Sequence, residues 1–273
     1  MLFYYGFLAL SAAGAAVLAP RLVSGVWIPV LWLGLFAGFF LALLIAFAAV
    51  IWISSLFVDI SKEQKKYSRY YGFMAHQLIF IGSKLAGLRI HKKGMELVPR
   101  DRPFLLVSNH IADLDPVPFL YTMPWARLGF ISKQENENIY LVNKSMHRIQ
   151  CLSINRENDR EALKTIVRTI QILREGEHSM CVFPEGYESK TGKLLPFRNG
   201  VFKIAQKAQV PIVVAVLRNT PLIAKNVFRR RTDIEVEILG VVPVEELTGV
   251  VTKEVGDRIH KMMEQALNQE ENG

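Results

Sequence analysis

Two residues able to form a general base stand five positions apart in Asn109-His110-Ile111-Ala112-Asp113-Leu114-Asp115-Pro116. A histidine works as a base near neutral pH when a carboxylate holds its ring and fixes its tautomer. The apolar run Phe104-Leu105-Leu106-Val107 just upstream reads as a buried strand that delivers His110 to a turn. On an ideal helix five residues rotate through about 500°, which leaves the two side chains about 140° apart. They cannot share a helix face. They converge if His110 lies in the strand-to-helix turn and Asp115 opens the helix, and Pro116 suits the first helical position. The competing reading makes Asp115 a plain N-cap and His110 a structural residue. No serine, cysteine or lysine in a nucleophile motif accompanies the pair. The base would therefore act on a hydroxyl brought by a substrate, as in group transfer to an alcohol. A metal site of His110, Asp113 and Asp115 lacks a second histidine at ligand spacing and is set aside.

A second group follows the apolar run Met180 to Phe183, in Phe183-Pro184-Glu185-Gly186-Tyr187-Glu188-Ser189. Pro184 and Gly186 force an irregular turn where exposed N–H groups can meet an anion. Lys190, Lys193, Arg198 and Lys203 follow closely, and cations of this kind reach phosphates. The plainer reading is a solvated charged face.

These residues need a sheet to present them. Strand-like runs occur at Phe104 to Val107, Leu128 to Ile131, Ile149 to Ile154, Met180 to Phe183, Ile212 to Leu217 and Ile234 to Leu239. Helical patterns fall at Val117 to Thr122, Arg160 to Glu175, Val201 to Ala208 and Lys253 to Leu267. The alternation predicts an α/β fold, a sheet covered by helices. Asn158-Asp159 supplies a cap for the Arg160 helix and Gly176 its end. Apolar positions from Tyr70 to Leu88 recur at helical spacing, giving a helix that covers the sheet or lies on a bilayer.

Composition divides the chain. Residues 1–58 carry one charge, Arg21, while the remainder holds nearly all of the +8 excess. A basic domain suits anionic headgroups and phosphorylated substrates. Nucleic acid is not expected as a partner, because no helix-turn-helix, zinc-finger or aromatic RNA-binding pattern occurs. Leu2 to Leu18 and Leu22 to Val58 are apolar, and about 20 residues cross a hydrocarbon layer. A basic n-region is missing, so a retained helical hairpin turning around Ala19 to Pro29 is favoured over a signal peptide. Residues 1–60 are thus expected to anchor and 61–273 to form the catalytic domain. Lys62, Lys65, Lys66 and Arg69 put that domain on the cytosolic side. Cys151 and Cys181 lie in apolar runs and read as core residues.

Together the motifs resemble the glycerolipid acyltransferases, the lysophosphatidic acid acyltransferase (1-acylglycerol-3-phosphate O-acyltransferase) group. NHIADLDP is similar to that family's Asn-His-x-x-x-x-Asp motif, and FPEGYES to its Phe-Pro-Glu-Gly-Thr-Arg-Ser motif. Leu152-Ser153-Ile154-Asn155-Arg156 resembles the family's strand ending in arginine, Val210-Pro211-Ile212-Val213 its Val-Pro-Ile-Val-Pro segment, and Gly94 to Pro99 its Gly-x-Glu-Asn-Leu-Pro approach. The likeness runs in order over about residues 85 to 220. It implies a glycerol-phosphate acyltransferase-like α/β fold, a mixed sheet covered by helices with an N-terminal apolar helical hairpin. By the resemblance His110 is the general base and Asp115 its orienting partner. Asn109 and Arg156 join the substrate-binding set, Arg156 on the acceptor's phosphate, while Glu185 and Gly186 shape that pocket. Tyr187 and Glu188 depart from the family's threonine and arginine, leaving Arg198 or Lys193 to supply the missing cation. The implied reaction moves an acyl group from acyl-CoA or acyl carrier protein to the hydroxyl of a lysophospholipid, lysophosphatidic acid first. No metal and no bound cofactor is expected; membrane lipids and acyl carrier protein are the expected partners. Open alternatives are another lysolipid or glycerol phosphate as acceptor, a hydrolase, or a non-catalytic lipid-binding protein of this fold.

Overall fold

The structure, a computed structural model, describes residues 1–62, 64–133, 140–154, 159–227 and 229–268. Among these, seven strands form one sheet in the order β1-β7-β6-β2-β5-β3-β4. They are β1 (Leu88–Lys93), β2 (Leu105–Ser108), β3 (Gly129–Lys133), β4 (Leu152–Ile154), β5 (Met180–Val182), β6 (Ile212–Arg218) and β7 (Thr232–Val242). Neighbours run parallel except β6 and β7, which are antiparallel, so the sheet is mixed. β2 lies at its centre with β6 on one side and β5 on the other. Its side chains alternate between two cores. Leu105 and Val107 join Ile172, Phe202 and Ile259, under helices α6 (Asp159–Glu175) and α7 (Phe202–Ala208) and the helix Thr252–Asn268. Phe104 and Leu106 join Phe119 and Val213, under α4 (Pro116–Thr122). Burial on both faces explains why this strand is continuously apolar rather than alternating.

Sequence expectations and elements agree at the centre of the sheet and part at its margins. The helix begun near Tyr70 is α3 (Arg69–Leu85), three residues shorter than its apolar spacing suggested. Gly87, at φ +70, turns the chain into the edge strand β1. The strand expected over Ile149 to Ile154 is only β4, because Ile149 closes onto α5 (Tyr140–Arg148), a helix the pattern did not reveal. Gly176, at φ +75, ends α6 as expected. The cap expected of Asn158 lies outside the described residues.

At the N-terminus α1 (Leu2–Leu22) and α2 (Trp27–Leu56) pack as a hairpin with a short turn between. By length and composition both could cross a membrane. At 1.5 Å per residue α2 extends about 45 Å, beyond the ~30 Å hydrocarbon thickness. The open end of the hairpin is bonded to the rest of the chain. Gln77 of α3 accepts from the Phe3 N–H (3.1 Å), and Tyr71 donates to the Ser54 carbonyl at the end of α2 (2.6 Å). Lys144 of α5 donates to the Ser55 and Val58 carbonyls (3.0 and 2.9 Å), placing a cation where the α2 dipole is negative.

Candidate active site

The C-terminal ends of three adjacent strands, β2, β5 and β6, supply the site. In open α/β sheets this end is where ligands bind. His110 follows β2 by two residues, Glu185 follows β5 by three, and Thr220 follows β6 by two. His110 Nδ1 lies 2.8 Å from Asp115 Oδ2. The same carboxylate accepts the Ile111 and Ala112 N–H groups (2.7 and 3.0 Å) and the Thr220 hydroxyl. Asp115 precedes α4 at the N-cap position but makes no side-chain cap bond there. Its side chain turns back to the loop that carries His110. Wholly buried, its Oδ2 already accepts two backbone N–H groups and so accepts from the ring as well; the hydrogen of the imidazole therefore sits on Nδ1, and Nε2 is the nitrogen left for a substrate.

Phe183 stacks on the imidazole with centroids 4.5 Å apart and planes at 17°. The ring is thereby held in one plane while 13% of the side chain stays exposed. His110 lines a cavity of about 100 Å³ whose wall is apolar at Phe130, Ile131, Ile154 and Ile166 and charged at Asp113 and Arg198.

Glu185 holds the loops together. One carboxylate oxygen accepts the His110 N–H (2.7 Å), and the other accepts the Leu195 N–H (2.7 Å). Ser189 N–H closes the arrangement on the His110 carbonyl (2.7 Å). Burial raises the Glu185 pKa above its usual value, while the hydrogen bonds from Leu195 and His110 oppose the shift. Gly186 has φ +75, and a Cβ there would come within 2.8 Å of Arg198 Nε. Glycine thus lets Arg198 lie across the turn, its guanidinium 5.2 Å from the Tyr187 ring. Tyr187, the residue that departs from the family's threonine, carries the cation expected to compensate.

Not every expected residue meets there. Asn109 was expected to bind substrate, but its buried amide is committed to the scaffold. It donates to the Leu217 carbonyl (3.0 Å) and accepts the Leu217 N–H (2.8 Å), tying β2 to β6. Glu185 likewise grips two backbone segments instead of facing a ligand. Lys193 is exposed and borders a different opening, with Thr191, Arg218 and Glu264. Arg156 lies outside the described residues. Phe183 and Thr220 were not assigned from sequence. Thr220 stands 105 residues from Asp115, and its only local signal is a helix start before Pro221. Cys181 is buried and Cys151 partly so, and loss of solvent pushes the Cys151 thiol up to about 12 and the Cys181 thiol up as well. Neither is a thiolate nucleophile. Among the described residues no cluster of metal-ligating side chains occurs.

The family model described as Acyltransferase matches residues 89–218, which hold β2 to β6 with His110, Asp115, Phe183, Glu185 and Arg198, and end two residues before Thr220. Residues 89–218 belong to the Acyltransferase family. Relatives of this acyltransferase domain include the 1-acyl-sn-glycerol-3-phosphate acyltransferase of Borreliella burgdorferi, 32% identical over 147 residues, 54% of this chain and 58% of that protein. The human 1-acyl-sn-glycerol-3-phosphate acyltransferase alpha is 30% identical over 181 residues, 66% of this chain and 64% of its own. The chain thus spans less than two thirds of either relative. In fold it is similar to the crystal structure of the 1-acyl-sn-glycerophosphate (LPA) acyltransferase from Thermotoga maritima. That likeness has a TM-score of 0.62 at 20% identity, over 82% of this chain and 88% of that one.

Proposed function

We propose that this protein is an O-acyltransferase that moves a fatty acyl group from a thioester to the free hydroxyl of 1-acylglycerol-3-phosphate, forming phosphatidic acid. The observation that carries the reading is the imidazole itself. Its Nδ1 is held by a buried carboxylate and its face by Phe183, beside an apolar cavity. Nε2 takes the hydroxyl proton as the oxygen attacks the thioester carbonyl, and Asp115 stabilises the imidazolium that forms. Collapse of the tetrahedral intermediate breaks the C–S bond, and the thiolate leaves with the proton from Nε2. An ester and a free thiol result, and His110 returns to its starting state. The apolar wall of the cavity suits the acyl chain, and Arg198 is the cation at hand for the acceptor's phosphate. By family resemblance Arg156 shares that phosphate. Acyl-CoA or acyl carrier protein is the donor, and the scheme needs no resident cofactor.

The hairpin fits a membrane enzyme whose acceptor and product live in the bilayer, with the catalytic domain on the cytosolic side as the charges after α2 direct. His110→Ala in purified, folded protein should lower transfer from a radiolabelled acyl thioester by about 10²- to 10⁴-fold. Near-full activity in that variant rules the mechanism out. One observation favours a second acceptor class: Tyr187 and Glu188 replace the family's threonine and arginine. A panel of lysolipids differing only in headgroup separates the two, with lysophosphatidic acid expected to be the best acceptor.

A further inference from the structure

A second apolar chamber lies where the hairpin meets the sheet domain. Its volume is about 200 Å³, and its walls come from four helices: Ile51 of α2, Met74 and Leu78 of α3, Leu120 of α4, and Leu141 and Val142 of α5. An apolar cavity of about 150 Å³ inside a protein already binds benzene, so this one has room for hydrocarbon. Three of the four hydroxyls on its wall, those of Ser54, Tyr70 and Tyr71, are already paired. Ser54 donates to the Val50 carbonyl (2.7 Å) and lies 2.6 Å from the Tyr70 hydroxyl, while Tyr71 donates to the Ser54 carbonyl.

The chamber is not sealed. Leu78, Leu141 and Val142 at its edge are 50%, 38% and 41% exposed. Ile51 and Ser54 of α2 line the groove, and Trp52, Ile53 and Leu56 of the same helix end are exposed. Exposed apolar side chains gathered at one place mark contact with lipid or a partner. Two cations of α5 flank it: the Arg148 guanidinium sits 5.3 Å from the Tyr71 ring, and Lys144 holds the Ser55 and Val58 carbonyls. The chemistry is therefore that of a single hydrocarbon chain entering from the bilayer side with an anionic head nearby. One short helix joins this chamber to the catalytic one. Pro116 of α4 borders the His110 cavity and Leu120 borders this groove, four residues or about 6 Å along the axis.

We infer that the groove between α2, α3 and α5 receives the acyl chain already carried by the lysophospholipid acceptor, apart from the cavity beside His110. The inference rests on the acyl-transfer reading for the identity of the lipid. Its test does not need turnover.

Full-length protein in detergent micelles is irradiated with a long-chain lysophosphatidic acid bearing a diazirine near the chain end, and labelled peptides are mapped by mass spectrometry. Label should fall on Met74, Leu78, Leu141 and Val142 and be competed by unlabelled long-chain acceptor but not by glycerol phosphate. Label at Ile131, Ile154 and Ile166 of the other cavity, or label spread along α1 and α2 and indifferent to competitor, overturns the inference. Kinetics gives a second arm. Ala75 of α3 also lines the groove, and Ala75→Phe and Val142→Trp fill it from two different helices. Either should raise the KM for an eighteen-carbon acceptor by about tenfold or more, leaving that for a six-carbon acceptor and for the donor unchanged. An equal rise at both chain lengths, or none, also overturns it. Groove labelling in a wild-type protein that transfers no acyl group would sink the enzymatic reading and leave the lipid site standing.

Discussion

Four donors converge on the Asp115 carboxylate, so its replacement acts on the histidine and on the loop at once. Asparagine in its place brings an amide that cannot accept from all four, and the imidazole loses the partner that holds its tautomer. Asp115→Asn should lower kcat by about 10²- to 10⁴-fold with little change in donor KM. Steady-state kinetics with both substrates varied reads this directly, and a pure KM effect would refute it. Glu185 gives a prediction in pH. Its folded pKa is raised by burial above the usual 4.5, so the folded state holds the proton more tightly than the unfolded one. The stability it contributes is full below about pH 4.5 and is lost as pH rises through the raised value. Glu185→Gln should remove that pH dependence. Because its amide faces one of two N–H groups it cannot accept, the variant should also lose about 1–3 kcal/mol at low pH. Denaturant unfolding of both proteins from pH 4 to pH 8 gives the comparison; parallel curves would contradict it. His110, Asp115, Glu185 and Gly186 were legible in the sequence because each lies in a short motif after an apolar run. Thr220 and the stacking of Phe183 were not, because contacts between residues 105 and 73 positions apart leave no local pattern.

Strand ends do the positioning, and one tie between them is a side chain. Asn109 completes the β2–β6 pairing past the last ladder residue by bonding both backbone groups of Leu217. Removing it leaves a buried N–H and carbonyl without partners, at a cost of about 1–3 kcal/mol each way of counting. Asn109→Ala should therefore lower the unfolding midpoint and also reduce kcat, since His110 is the next residue. An unchanged midpoint with reduced binding of acceptor would instead restore Asn109 to the substrate-contacting set. The central strands could be read from Phe104 to Val107, Met180 to Phe183 and Ile212 to Leu217, because burial on both faces demands unbroken apolar runs, and Ile234 to Leu239 from its alternation, with Ile234, Val236 and Ile238 buried. β1 escaped notice for the opposite reason. As an edge strand, Leu88-Arg89-Ile90-His91-Lys92-Lys93 buries one side only and pairs with β7, over 140 residues away. α5 carries Leu141 and Val142 outward toward the hairpin groove, so no core-facing stripe announced it.

On the scale of the whole molecule, the hairpin and the sheet domain are bonded through the segment after α2. The Gln64 carbonyl accepts from Gln150 (2.9 Å) and Arg168 (3.1 Å), and its side-chain oxygen accepts from Arg148 (2.7 Å). With Lys144 on the end of α2, these bonds fix how far the His110 cavity stands from the apolar helices. The charge contrast between residues 1–58 and the rest made this division visible in sequence, whereas the bonds across it, again long-range, were not. A topology follows. α1 starts and α2 ends against α3, so both open ends of the hairpin lie on the domain's side, and the turn near Ser24 lies a helix length away. Helices of 21 and 30 residues rise about 31 and 45 Å, enough for the turn to emerge across a ~30 Å hydrocarbon layer. The positive-inside bias of the four cations from Lys62 to Arg69 then predicts that the other side faces the cytosol. Cys181 is buried and the Cys151 thiol is pushed up to about 12, so a single introduced cysteine can be read above a low background. A membrane-impermeant maleimide added to intact cells should label Ser24→Cys and leave Lys65→Cys untouched until the membrane is opened. Labelling of neither before opening and both after it would mean that the hairpin dips into one leaflet and returns, and the spanning topology would fall.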